Sequence, residues 1–245
     1  MQYFGVTETG PVRKSNQDDF FAAELTGGAF ICAVCDGMGG AAAGNIASST
    51  ACSTIKAELE SKLSALPCDS FDFYGSLRSS LVNANLNICN KVKENPDYSG
   101  MGTTAVVLIS YGEKAYIANI GDSRCYCFSQ NKLERITKDH SFVQMLVDSG
   151  SITEEEAKSH PKKNIITRSL GDTSDTEADL FSCSLNGNVF LLCSDGLTNY
   201  VSEERISAAL EAMTDAESCA CALVNEAVNN GGGDNVTVLI IDFSK

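Results

Sequence analysis

Where Phe30-Ile31-Cys32-Ala33-Val34-Cys35-Asp36-Gly37-Met38-Gly39-Gly40 passes, six uncharged residues run into a carboxylate and then an open turn. The arrangement recurs at Val189-Phe190-Leu191-Leu192-Cys193-Ser194-Asp195-Gly196 and nearly so at Ile117-Ala118-Asn119-Ile120-Gly121-Asp122, while Asp234 stands just before Val236-Thr237-Val238-Leu239-Ile240-Ile241. A carboxylate closing a buried strand is too costly to keep without a cation or donors beside it. Four such acids at strand ends therefore read as one site. Asp18, in the polar cluster Arg13-Lys14-Ser15-Asn16-Gln17-Asp18-Asp19, is a fifth.

A donor set made only of Asp selects hard cations with oxygen ligands, magnesium or manganese, over the softer ions favoured by Cys and His. The Gly after Asp36 and after Asp195 lets a backbone carbonyl turn inward as a further ligand. Converging carboxylates repel one another, so the site is expected to hold more than one divalent ion. Two ions ~3.5–4 Å apart share a water, lower its pKa and aim it at phosphorus, and hydrolysis of a phosphoester follows. Arg13 fits the phosphate clamp, because its guanidinium fork holds two phosphate oxygens and stabilises charge on them. Taken alone, Arg13 reads as a solvated turn residue and Asp122 as a β-turn carboxylate. Asp139, Asp172, Asp175 and Asp179 read as solvated loop acids, and His140 and His160 as ordinary loop histidines, although either could protonate a leaving group.

The elements that position these residues are legible in outline. Strands are predicted at residues 3–7, 20–23 and from Phe30 to Asp36; helices at 41–66, closed by Pro67, and at 72–94. Three strands follow at 103–109, 114–120 and 124–129, joined by short turns that force antiparallel pairing. Residues 138–172 form an irregular excursion with short helices around 142–147 and 153–159. A strand at 188–193, helices near 203–213 and 215–229, and a last strand at 236–241 complete the chain. The order predicts an α+β fold, a four-layer α-β-β-α sandwich of two antiparallel sheets flanked by helices, in one domain over 1–245.

Composition narrows the function. At 245 residues and 43% hydrophobic content the chain can bury a large core. A net charge of -14 with only 18 Lys and Arg argues against nucleic acid. No apolar run is long enough to span a bilayer and no basic segment precedes an apolar one at the N-terminus, so a cytoplasmic protein without a membrane anchor is expected. The 11 cysteines are odd in number and mostly sit in apolar runs (Cys32, Cys35, Cys52, Cys89, Cys183, Cys193), which reads as reduced core thiols and not as disulfides or zinc ligands. No apolar stripe is left unpaired, and a monomer is expected.

The segments Arg13 to Asp18, Asp36-Gly37-Met38-Gly39-Gly40, Gly102-Thr103-Thr104, Gly121-Asp122-Ser123-Arg124, Asp139-His140-Ser141, Cys193-Ser194-Asp195-Gly196-Leu197 and Gly233-Asp234-Asn235-Val236-Thr237 resemble, in order and over nearly the whole chain, the motifs of the metal-dependent serine/threonine protein phosphatases of the type 2C class, above all the compact bacterial members. The resemblance implies a manganese- or magnesium-dependent hydrolase of phosphoserine and phosphothreonine in proteins, opposing a serine/threonine kinase. It implies that Asp36 bridges two metals, that Asp195 and Asp234 hold the first, that Gly37 offers its carbonyl to the second with Asp18 in support, and that Asp122 helps bind a third, weaker ion. Residues 138–172 correspond to the family's flap. Two positions depart from many eukaryotic members: Gln17 replaces Glu, and Met38 replaces a His that could act as a proton donor.

Two rival readings are weaker. Gly37-Met38-Gly39-Gly40-Ala41-Ala42 satisfies a dinucleotide-binding G-x-G-x-x-A, yet the acids ~20 residues on, Glu58 and Glu60, fall on a predicted helix and the antiparallel meander excludes a doubly wound sheet. A catalytically inactive binding module would not need every metal-ligand carboxylate, and all of them are present.

Overall fold

Apolar runs that carry no charge over their whole length need cover on both faces, and here they are the central strands of two stacked sheets. The computed structural model describes residues 1–39, 43–64, 66, 71–172 and 177–244; Gly40, Ala41, Ala42, Pro67 and Asp175 lie outside the described residues. The strands are β1 (Gln2–Glu8), β2 (Asp18–Glu24), β3 (Phe30–Met38), β4 (Gly102–Thr103), β5 (Ala105–Tyr111), β6 (Lys114–Ile120), β7 (Arg124–Ser129), β8 (Lys132–Arg135), β9 (Asp179–Ser184), β10 (Val189–Cys193) and β11 (Val236–Asp242). The helices are α1 (Gly44–Leu63), α2 (Phe73–Glu94), α3 (Phe142–Asp148), α4 (Glu154–Lys158), α5 (Asp195–Thr198), α6 (Glu203–Glu211) and α7 (Ala216–Asn229).

One sheet has the order β1-β11-β10-β7-β8 and the other β2-β3-β5-β6-β9, with β4 paired to the end of β3. These ladders are antiparallel, as the short turns require. Alternation along β3 explains its uninterrupted apolar run. Phe30, Cys32 and Val34 face the other sheet, among Phe190, Leu192, Leu239 and Ile241, whereas Ile31, Ala33 and Cys35 face Ile55 and Leu59 of α1 and Leu77 and Leu81 of α2. Strand β11 does the same on the opposite side, with Val238 and Ile240 against Leu223 and Ala227 of α7. The result is the expected sequence of layers, helices, sheet, sheet, helices.

Four differences from the sequence reading have local causes. Strand β3 does not stop at Asp36 but continues through Gly37 and Met38, because β4 supplies a partner there. The strand expected over 103–109 is interrupted at Thr104, whose Oγ1 accepts from Asp36 N–H and whose own N–H donates to Asp36 O. Strands β8 and β9 are not anticipated: each is a sheet edge with no fully buried residue, so Lys132-Leu133-Glu134-Arg135 and Asp179-Leu180-Phe181-Ser182-Cys183-Ser184 show no full apolar face. Helix α5 is a single turn, too short for a periodic signal.

Leu108 lies fully buried in the layer between the sheets. Leu108→Ala is expected to lower unfolding free energy by about 2–5 kcal/mol, read from urea denaturation as a lower midpoint at an unchanged slope.

Candidate active site

Strand pairing brings the acids to one end of the sandwich. Register places Asp18 of β2 opposite Asp36 of β3. In the other sheet Cys193 pairs with Val238, so Ser194, just past β10, meets Thr237 of β11: Ser194 N–H donates to Thr237 O and Thr237 N–H to Ser194 Oγ. The Asp18 carboxylate reaches across from its own sheet into this junction, where Oδ2 accepts from Ser194 Oγ and from Thr237 Oγ1, each at 2.7 Å. Asp195 follows as the first residue of α5, its Oδ2 accepting from Asn199 Nδ2 at 2.8 Å. Gly196 must be glycine, since a Cβ there would collide with the backbone oxygen of Asn235.

Asp122 sits in the turn between β6 and β7, after Gly121 at φ +104, and is buried. Asp234 precedes β11 and is about one third exposed. Its Oδ2 accepts from Arg13 Nη2 at 2.7 Å, and Arg13 Nε donates to Gly233 O. The turn that carries Arg13 is held by Asn235, which takes Gln17 N–H on Oδ1 and donates from Nδ2 to Thr9 O and Ser15 O. Gly37 packs too tightly for any side chain, because a Cβ would run into the backbone oxygens of Gly44 and Gln17, and its N–H donates to Gln17 O.

The acids share one field. The Asp36 carboxyl is pushed well above the usual carboxylate range, first by burial and then by Asp18, Asp195, Asp122 and Asp234. Burial pushes Asp18 up to about 7 against the opposing bonds from Thr237 and Ser194. Burial also raises Asp122, with Asp195 and Asp139 adding to it, and Asp195, with Asp234 adding and its contacts to Asn199 and Asp36 opposing. Sequence reasoning thus names five acids that the structure does bring together, with Arg13 beside them.

Whether this set suits a metal is tested by its unused donors. Asp18 Oδ1, Asp122 Oδ1 and Asp195 Oδ1 are buried without a hydrogen-bond partner, which is costly for a carboxylate unless a cation takes the place of the donor. Among the described residues no three His, Cys, Asp or Glu side chains are already drawn round one point, and Asp234 is turned to Arg13. The orphaned oxygens, their all-Asp chemistry and their shared field nonetheless fit hard divalent cations.

Three loop assignments need correction. Asp139 is not solvated: its carboxylate is 10% exposed and takes a fork from Arg124, Nε on Oδ1 and Nη2 on Oδ2, with the Arg135 guanidinium also at Oδ1. His140 is buried and engaged on both ring nitrogens, Nδ1 accepting from Gly121 N–H and Nε2 lying 3.4 Å from Asp179 Oδ2. Burial lowers its pKa. It props the Asp122 turn and does not face a leaving group as a free acid. Asp179 belongs to β9 and also meets Arg168 Nη1. Sequence reasoning missed Ser194, Thr237, Thr104, Asn199 and Asn235 as supports of the site. For all but Asn199, which closes α5, the one signal is a hydroxyl or amide placed inside, or just beside, an otherwise apolar strand. A cleft of about 600 Å³ opens beside Asp122 and Asp195, bounded by Gln144, Lys158, Lys163 and Tyr200.

Comparison with known proteins agrees with this geometry. Residues 12–225 match the protein phosphatase 2C family. The chain is 38% identical over 242 residues to the serine/threonine protein phosphatase PstP of Mycobacterium tuberculosis, covering 99% of this chain and 45% of that protein; it therefore spans about half the length of this relative. It is 35% identical over 237 residues to the serine/threonine phosphatase stp of Listeria welshimeri, covering 96% and 93%. A crystal structure of the catalytic domain of a phosphatase PstP in complex with two manganese ions superposes with a TM-score of 0.85 at 36% identity, over 98% of this chain and 97% of that one.

The raised acids set a sign for stability. Asp18 binds its proton more tightly folded, near 7, than unfolded, near 3.8, so the folded state holds more protons between those values and loses stability as pH rises through them. In EDTA the Tm is expected to fall from about pH 5 to pH 8, and added manganese to reverse the fall. A Tm rising with pH across that window in EDTA would contradict the assignment.

Proposed function

The chain belongs to the protein phosphatase 2C family, and on that premise we propose that it hydrolyses phosphoserine and phosphothreonine esters in proteins, opposing a serine/threonine kinase. The observation that carries the reading is the set of buried, unpartnered aspartate oxygens at the meeting point of the two sheets. Manganese is supported by the two manganese ions in the similar PstP structure, and magnesium shares the same preference for oxygen ligands. We assign the whole chain to one catalytic domain, with residues 138–172 as its flap.

Asp36 would bridge two ions, Asp195 and Asp234 would hold the first, the Gly37 carbonyl with Asp18 in support the second, and Asp122 a third, weaker one. When bound, the core pair supplies an acidified water as nucleophile and neutralises charge on the phosphate. The chain's own residues do the rest. Ser194 and Thr237 fix the Asp18 carboxylate, and Asn199 fixes Asp195, so that one oxygen of each stays free. Arg13 stands at the rim, hydrogen-bonded to Asp234 and exposed over about half its side chain. In that position its fork is available to two phosphate oxygens, exchanging one carboxylate for a doubly charged ester. The cleft beside Asp122 gives the peptide on either side of the phosphoresidue a place to lie. Met38 has no proton to give, and His140 is already committed to Gly121 and Asp179.

A binding module without turnover is the alternative, and the antiparallel sheets leave no doubly wound crevice for a dinucleotide. Among the described residues no helix is long and apolar enough to cross a membrane. Asp36→Asn is expected to reduce manganese-dependent phosphate release from a phosphothreonine peptide by at least about 10³-fold while far-UV circular dichroism stays unchanged; a folded variant with wild-type turnover would end the assignment. Arg13→Ala is expected to raise KM roughly tenfold with a smaller effect on kcat, and unaltered kinetic constants would reduce Arg13 to a turn residue.

A further inference from the structure

The buried face of α2 is mostly apolar, but Ser76, Ser80 and Asn85 interrupt it. The two serine hydroxyls turn back onto carbonyls close by in the chain, those of Asp72 and Leu77. Asn85 does something different. Its side chain, 8% exposed, leaves the helix and clasps distant backbone: Oδ1 accepts from Gly171 N–H at 2.6 Å and Nδ2 donates to Asp172 O at 3.2 Å. An amide carries acceptor and donor side by side, which suits that pair of backbone groups. Cys89, one turn along α2, adds a thiol donor to Gly171 O at 3.8 Å. Gly171 itself sits at φ +98, where a Cβ would run into Met101 O, so the clasped segment lies close against the chain entering β4.

From there the acids are two steps away. Leu170 is fully buried and exchanges two backbone bonds with Thr103: Thr103 N–H donates to Leu170 O at 2.9 Å and Leu170 N–H to Thr103 O at 2.8 Å. Thr103 lies opposite Gly37 in the β3–β4 ladder, and its Oγ1 donates to Asp36 O at 2.9 Å. Upstream, Thr167 N–H donates to His140 O at 2.8 Å, so Asn85 ties the end of the segment that His140 does not. We propose that Asn85 is a positioning residue for the metal centre. It holds the 170–172 backbone where Leu170 and Thr103 fix the Asp36–Gly37 peptide, and with it the carboxylate assigned to bridge two ions and the carbonyl assigned to the second. The inference rests on the two-ion reading above. Asn85 bonds to Gly171, Asp172 and Cys89 and to none of the five acids, so it acts through backbone. Outer partners that orient metal ligands in this way change metal affinity by about 10–100-fold when removed.

Two measurements on the full chain test this. In calorimetric titration, Asn85→Ala is expected to bind manganese at least about tenfold more weakly than the wild type. Leu77→Ala, on the same buried face, controls for a merely structural loss: it is expected to lower Tm at least as far, through its cavity, yet to keep manganese affinity within about twofold. Hydrogen exchange in the metal-free chain is expected to find the Thr103, Leu170 and Gly171 amides protected in the wild type and opening faster together in Asn85→Ala, with β10 and β11 unchanged. Manganese affinity that Asn85→Ala leaves unchanged, or that Leu77→Ala weakens equally, overturns this inference and leaves the two-ion reading in place. Absence of binding to the folded wild type overturns both. Should Asn85→Ala not fold, exchange in the wild-type chain decides: Gly171 opening together with Leu170 and Thr103 supports the clasp, and Gly171 exchanging as a free amide overturns it.

Discussion

Repulsion among clustered, partly desolvated carboxylates governs this structure. Asp18, Asp36, Asp122, Asp195 and Asp234 hold one another and their desolvation at a cost that ordinary hydrogen bonding only partly offsets. Few folds could tolerate that arrangement without support, and here the support is rigid. Each acid is placed by strand pairing or by a turn next to a paired strand, and the two sheets are covered on both faces. The acids cannot relax apart without breaking ladders that the core depends on.

The hydroxyls of Ser194 and Thr237 show how the support is built. Both would be apolar if β10 and β11 served the core alone. Instead they bind one oxygen of Asp18, so that a residue of one sheet is held by two residues of the other. Thr104 does a similar service for the Asp36 backbone, and breaks a strand to do it. Such local departures from strand chemistry are expected where function takes precedence over regular pairing.

Much of this was legible in the sequence because the central strands are covered on both faces: β3, β10 and β11 read as apolar runs ending at or beside an acid, and the glycines after Asp36 and Asp195 marked the close approaches. The two long helices declared themselves by period. What the sequence hid was whatever has one face in water or acts across long separations. The edge strands β8 and β9 lack a full apolar pattern. The burial of Asp139 depends on Arg124 and Arg135 folding over it, and the burial of His140 on Gly121 and Asp179; neither leaves a mark on the neighbouring residues.

Divalent cations would relieve this repulsion at a site assembled by both sheets. Calorimetric titration of the metal-free chain with manganese tests that relief without any substrate. Two tightly bound ions are expected per chain, ahead of the weaker third, with the tight binding lost or greatly weakened in Asp36→Asn. Absence of binding to folded wild-type protein, or an isotherm that Asp36→Asn leaves unchanged, would contradict it.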